Sequence, residues 1–143
     1  MALKDLQQNI VTTVTQWQKV ENASLVSTSE TIAKTDNRAI RLIMEIIQRD
    51  SQMHYRIQQW IADSLQREEV SLSPDDLNQV WDIIEKHIEI EKKMAESAKK
   101  ALMALKGAQM AVQEYFLTYL MEDERKHETL LTNLEKFKKG MYP

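Results

Sequence analysis

The 143-residue chain predicts an all-α fold, an antiparallel up-down-up-down four-helix bundle. Three observations carry that expectation. Only two glycines and two prolines punctuate the sequence, and the rest is rich in Ala, Leu, Ile, Glu, Lys, Gln and Met, residues that lose little on entering a helix. Apolar residues recur at alternating three- and four-residue steps, the period of helices packed at a shallow crossing angle. The turn signals between them are short, which makes consecutive helices antiparallel neighbours. A chain of this length builds its own hydrophobic core, so a single domain over 1–143 is expected.

The elements follow in order. The first helix is expected over about 2–33, although Ser27-Thr28-Ser29-Glu30 also matches a capping box that could break it early. Thr35-Asp36-Asn37 reads as a turn and cap, opening a second helix over 37–66. The clearest boundary is Ser73-Pro74-Asp75-Asp76. Ser73 can cap, Pro74 suits the first helical position, and the two Asp complement the helix dipole. A third helix is expected from there over 74–106, stopped by Gly107, and a fourth over 108–139, ending before Gly140.

Composition excludes several functions. The formal charge of −3 comes with no large basic patch, so nucleic acid is not expected as a partner. Lys136, Lys138 and Lys139 form only a short basic helix end. With no cysteine there is no disulfide, thiolate metal site or rubredoxin-type iron centre, which fits a cytoplasmic protein. Met1-Ala2-Leu3-Lys4-Asp5 lacks a signal-peptide core. No segment approaches the ~18 uninterrupted apolar residues of a membrane span. No Gly-rich phosphate loop or Ser-His-Asp or Cys-His nucleophile can be assembled, and no catalytic residue is assigned.

Three polar pairs interrupt the stripes: Asp50 with His54, His87 with Glu91, and Asp123/Glu124 with His127. The second-helix stripe reads Ile40, Ile43, Ile47, Asp50, His54, Ile57 and Ile61. The third runs Leu77, Val80, Ile84, His87, Glu91, Met94, Ala98, Ala101 and Leu105, and the fourth Leu117, Leu120, Glu124, His127, Leu131 and Leu134. On the first helix Glu21 falls among Val14, Trp17, Leu25, Thr28 and Ile32. Polar groups in such stripes are costly to bury unless something satisfies them.

Folding the chain about its turns aligns these interruptions. About residue 70, Asp50 mirrors Glu91 and His54 mirrors His87. About Gly107, Glu91 mirrors Asp123/Glu124 and His87 mirrors His127. About Asp36, Glu21 mirrors the acid level and Trp17 the histidine level. A layer of three histidines is thus expected beside a layer of carboxylates, about one helical turn, ~6 Å, apart. Imidazole and carboxylate are the usual ligands of iron, manganese and zinc, and helical bundles hold such sites in their cores. The expected ligands are His54, His87, His127, Asp50, Glu91 and Glu124, with Glu21 as a seventh. Asp123 is either an alternative to Glu124 or the partner that orients His127. Against this stands the plainer reading, in which the polar layers fix helix register without a ligand.

At Glu124-Arg125-Lys126-His127, within Leu120-Met121-Glu122-Asp123-Glu124-Arg125-Lys126-His127-Glu128, the sequence resembles the ferritin-like superfamily, especially rubrerythrin-type domains. That family carries Glu-x-x-His on two helices and a lone Glu on each of the others. The resemblance implies Glu124 and His127 as a carboxylate and its histidine, Glu91 and Glu21 as the lone glutamates, and His54 as the second-helix histidine. It also implies two non-haem irons that react with oxygen or peroxide. The chain departs from the pattern at Ser51, which stands where the second-helix Glu belongs, with Asp50 one position early. His87 is additional, and the link from Gln66 to Ser73 is shorter than the family's crossover. His87-Ile88-Glu89-Ile90-Glu91 also resembles the His-x-x-x-Glu of hemerythrin-like proteins, whose sites use five histidines where this chain has three.

Three functional expectations result. The first is a ferritin-like non-haem metal protein, with di-iron expected and manganese or zinc as alternatives. It would handle oxygen, peroxide or iron as an oxidoreductase or a store. The second is a hemerythrin-like reversible oxygen or metal binder. The third is a metal-free interaction bundle. Metal ions, oxygen or peroxide are the expected partners, and a homo-oligomer is the expected assembly.

Overall fold

The computed structural model describes residues 1–67 and 72–140, and over them the chain is helical with no strand. The helices are α1 (Leu3–Lys34), α2 (Arg38–Gln66), α3 (Pro74–Asn78), α4 (Trp81–Leu105) and α5 (Ala111–Lys138). The all-α class is therefore observed, with five helices among the described residues where four are expected. None of them is long and apolar enough to cross a membrane.

The capping signals explain most of the boundaries. Asn37 Oδ1 accepts from the Ile40 backbone N–H at 3.1 Å, satisfying a donor that the start of α2 leaves free. Gly107 takes a left-handed φ of +82° just beyond α4, the conformation that ends helices and suits glycine. The box at Ser27–Glu30 does not break α1. Thr28 Oγ1 instead donates back to the Ser24 carbonyl at 2.8 Å, and the helix runs on to Lys34.

At 74–106 the structure differs from the single helix expected. Ser73 Oγ accepts from the Asp76 N–H at 3.1 Å, and the Asp76 carboxylate accepts from the Ser73 N–H at 3.2 Å. This closes a capping box, and the two Ser73 hydrogen bonds hold the Asp76 carboxyl below its ordinary range. The short α3 then ends in a tight turn, with the Val80 N–H donating to the Leu77 carbonyl at 3.1 Å. Val80 leaves helical dihedrals at φ −120°, ψ 2°, a break that suits a β-branched residue whose χ1 a helix restricts.

The chain divides into two compact units, Met1–Val70 and Ser71–Pro143. In the first, α1 and α2 form an antiparallel hairpin. Gln18 Nε2 reaches the Tyr55 carbonyl at 3.3 Å and Gln59 Oε1 at 3.0 Å, Ser24 and Ser51 share a hydroxyl hydrogen bond of 2.9 Å, and Gln48 donates to Ser29 at 2.9 Å. In the second, α4 and α5 form the corresponding hairpin, with Lys138 over the Trp81 ring at 4.8 Å and α3 packed at its open end.

In each hairpin one helix, α2 or α4, buries a face rotated about one position from its apolar stripe. In the first, Val11, Val14, Gln18, Thr28, Ser51, Gln58 and Ala62 are buried, whereas Trp17, Ile40, Ile47, Ile57 and Trp60 are exposed. In the second, Trp81, Ile88, Glu91 and Ala95 are buried while Val80 and Met94 are exposed. The seam between two helices is narrow. It takes small side chains and flexible amides beside Trp81 and Ile88, while Ile57 and Met94 stand outside it.

Candidate metal centre

The second hairpin brings five of the eight expected ligands together. Glu91, on α4, is its pivot and is only 6% exposed. Its Oε1 lies 2.8 Å from His87 Nε2, one turn earlier on the same helix. Its Oε2 points across the seam towards α5, 3.4 Å from His127 Nδ1. That same ring nitrogen is 3.7 Å from Glu124 Oε2, and the opposite nitrogen, Nε2, is 3.4 Å from Asp123 Oδ2. Glu91, Glu124 and His127 each offer a donor atom, all within 4.8 Å of one another.

Each residue reaches its place through helix spacing. His87 and Glu91 are four apart and therefore stacked on one face of α4. Asp123, Glu124 and His127 are four and three apart and share one face of α5. Side chains lean towards the N-terminus of their own helix, so across an antiparallel seam the contacting pairs are displaced from the Cα mirror. This displacement corrects the expected layering. Glu91 meets His127 as well as Glu124, so acids and histidines mingle in one cluster instead of forming separate layers.

Electrostatics make the cluster unsettled without a cation. Glu91 Oε2 is buried, its contact with His127 is long at 3.4 Å, and a second carboxylate, Glu124, faces it. Two carboxylates this close share a proton more readily than both ionise. The hydrogen bond from Glu124 holds the Glu91 carboxyl below its ordinary range, helped by His87 and His127 and opposed by burial. The same contact, together with burial and the Glu91 charge, pushes Glu124 above its range.

The donor set fits a metal ion. It consists of two carboxylate oxygens and one imidazole nitrogen. The surroundings fit as well. Asp123 beside His127 Nε2 is the kind of carboxylate that fixes a ligand histidine's tautomer and turns its other nitrogen inward. Lys126 pairs with that Asp123 at 2.8 Å. His87 grips the outer oxygen of Glu91 and so stands as an orienting partner of the carboxylate.

The first hairpin holds the remaining expected residues in a different arrangement. His54 Nδ1 lies 3.3 Å from Glu21 Oε1, and Gln58 Nε2 donates to the same oxygen at 3.3 Å. Asp50 is half-buried and forms no ion pair with His54 among the described residues, contrary to the expected pair. The lean of the side chains again explains the outcome, because it brings Glu21 to the level of His54 and away from Asp50. Trp17, expected at the histidine level, is 53% exposed. Sequence reasoning missed the two buried amides, Gln18 and Gln58. Gln58 Oε1 is buried without a hydrogen-bond partner among the described residues. The available signal was their spacing, since Gln18 follows Val11 and Val14 at seven and four residues, and Gln58 follows Ser51 at seven.

Comparison with protein-family models, with curated proteins and with solved structures finds no match.

Proposed function

We propose that this is a metal-binding protein whose centre is built from Glu91, Glu124 and His127, and that its metal is a non-haem iron. The observation carrying the reading is the buried Glu91 carboxylate, whose Oε2 converges with a second carboxylate and an imidazole. A proton or a cation must quench that cluster, and a cation satisfies all three donors together. Mixed oxygen and nitrogen donors suit iron, manganese and zinc, with iron favoured by the Glu124-x-x-His127 element.

Within this reading the residues have distinct tasks. Glu91 and Glu124 neutralise the ion's charge, and His127 supplies nitrogen through Nδ1. Asp123 holds the His127 ring, and His87 holds the Glu91 carboxylate. Bound iron would supply redox change and Lewis acidity, the chemistry needed to handle oxygen or peroxide.

Elemental analysis of protein purified without chelators or a metal-binding tag tests the reading. Iron, manganese or zinc near one ion per chain, absent from Glu91→Ala, is the expected result. A well-folded protein that remains empty after anaerobic addition of ferrous iron would leave the cluster as a polar device that fixes register.

A further inference from the structure

We infer that Met94 is an oxidation site built beside the metal centre, a thioether that accepts peroxide oxygen and so spares the donors. The inference rests on the metal-binding reading and adds to it the fate of an oxidant that arrives there. The chain has no cysteine and eight methionines, so its thioethers are the side chains that peroxide oxidises most readily.

Helix spacing puts Met94 next to the donors. It follows Glu91 by three residues on α4, about 4.5 Å along the axis and on the same side of the helix. A cleft of about 180 Å³ opens between α4 and α5, and Met94 and Glu124 both line it. Ala98, Ala101, Leu117 and Leu120 form most of the remaining wall. Among the described residues lining the cleft, Met94 carries the one sulfur, and it is 53% exposed. An oxidant that reaches Glu124 through this cleft meets the Met94 thioether in the same space.

The step balances with hydrogen peroxide as the only other reactant. The sulfur lone pair attacks one peroxide oxygen, the O–O bond breaks and an S–O bond forms. The departing hydroxide takes the proton left on the oxygen that sulfur now holds. Sulfur loses two electrons, peroxide is reduced to water, and Met94 becomes the sulfoxide. Lewis acidity at the donors eases departure of the hydroxide.

Met103 is the internal reference. It lies on the same helix, about 13.5 Å beyond Met94, and at 68% it is the more exposed of the two. Exposure alone therefore ranks Met103 above Met94. Proximity to the donors reverses that order.

The test treats the full chain with hydrogen peroxide, metal-free or loaded with one equivalent of iron and oxidised in air to the ferric state. Sulfoxide at each methionine is read by peptide mass spectrometry, and iron content is measured before and after. In the metal-free protein Met103 is expected to react at least as fast as Met94. In the loaded protein Met94 is expected to react roughly tenfold faster than Met103. Glu91→Ala, checked for native helicity, is expected to lose the iron and the preference together. Met94→Leu keeps every donor at similar volume and is expected to shed its iron under peroxide roughly threefold faster, as oxidation falls on the donors. A loaded protein in which Met103 reacts first overturns the inference and leaves the metal reading standing. A preference for Met94 already present without iron, or a Met94→Leu variant that holds its iron as long as the parent, also overturns it. A chain that retains no iron removes the metal reading and this inference together.

Discussion

The two hairpins start from similar materials and dispose of them differently. Each sets a glutamate on one helix against a histidine on the next, Glu21 with His54 and Glu91 with His127. In the first, the carboxylate meets one imidazole and one amide, and among the described residues no second acid is seen to join it. The Gln58 Nε2 donor and the His54 ring share a single Glu21 oxygen, an ordinary polar contact in a seam of small and amide side chains. In the second, a buried glutamate faces another carboxylate and an imidazole. The difference lies in one added acid: Glu124 makes the second cluster electrostatically incomplete, and incompleteness of that kind invites a cation.

The sharpest way to break this contrast is to remove the pivot acid from each hairpin. Glu91→Ala is expected to abolish stoichiometric metal binding, whereas Glu21→Ala leaves the metal content unchanged, both read by elemental analysis. Equal losses would mean that the hairpins do not differ in the way described. His87→Ala comes next. His87 holds the outer oxygen of Glu91 at 2.8 Å, and loss of such an orienting partner typically costs about 10–100-fold in metal affinity. Titration against a competing chelator measures it.

Much of this was legible in the sequence. The helical class follows from composition and period, and α1, α2 and α5 begin and end within a few residues of their signals. The cluster of His87, Glu91, Asp123, Glu124 and His127 was found by folding the chain about Gly107, because a short link fixes the pairing of two antiparallel helices. Two things were not legible. The mirror treats side chains as though they pointed straight out, so it sets His127 in a layer apart from Glu91 and Glu21 at the acid level. The stripe ranks positions by hydrophobicity, whereas the faces that α2 and α4 bury lie about one position round from it. Ser51, Gln58 and Ala95 are therefore buried while Ile57 and Met94 are exposed.

A third experiment sharpens the comparison by making the hairpins alike. Ser51→Glu creates a Glu-x-x-His ending at His54. Ser51 is 5% exposed and bonded to Ser24, so the larger acid overfills the seam and costs about 1–3 kcal/mol by denaturant unfolding. Added metal is expected to recover part of that loss. A variant that is neither destabilised nor metal-responsive would show that Ser51 is not what separates the first hairpin from the second.

The acid pair also predicts a pH dependence confined to the second hairpin. Glu91 has a lowered pKa, so its contribution is present above the unfolded value and lost as pH falls through the folded one. Glu124 has a raised pKa, so its contribution is present below the unfolded value and lost as pH rises through the folded one. The metal-free protein is thus most stable while the pair holds one proton and weakens on either side. Glu124→Gln should remove the alkaline decline, as monitored by thermal unfolding across a pH series. Survival of that decline in Glu124→Gln would place its origin outside the pair.

The smallest effect separates stability from binding. Asn37 caps α2 through its side chain, whereas Val80 at the start of α4 offers no side-chain cap. Replacing an N-cap Asn by Ala costs ~1 kcal/mol, because one backbone donor in the first turn loses its acceptor. Asn37→Ala should therefore lower the unfolding free energy by about that amount and leave metal affinity as it was, since the proposed donors belong to the other hairpin. An equal-sized fall in metal affinity would show that the first hairpin's stability is felt at the centre, and the contrast between the two regions would then be one of degree.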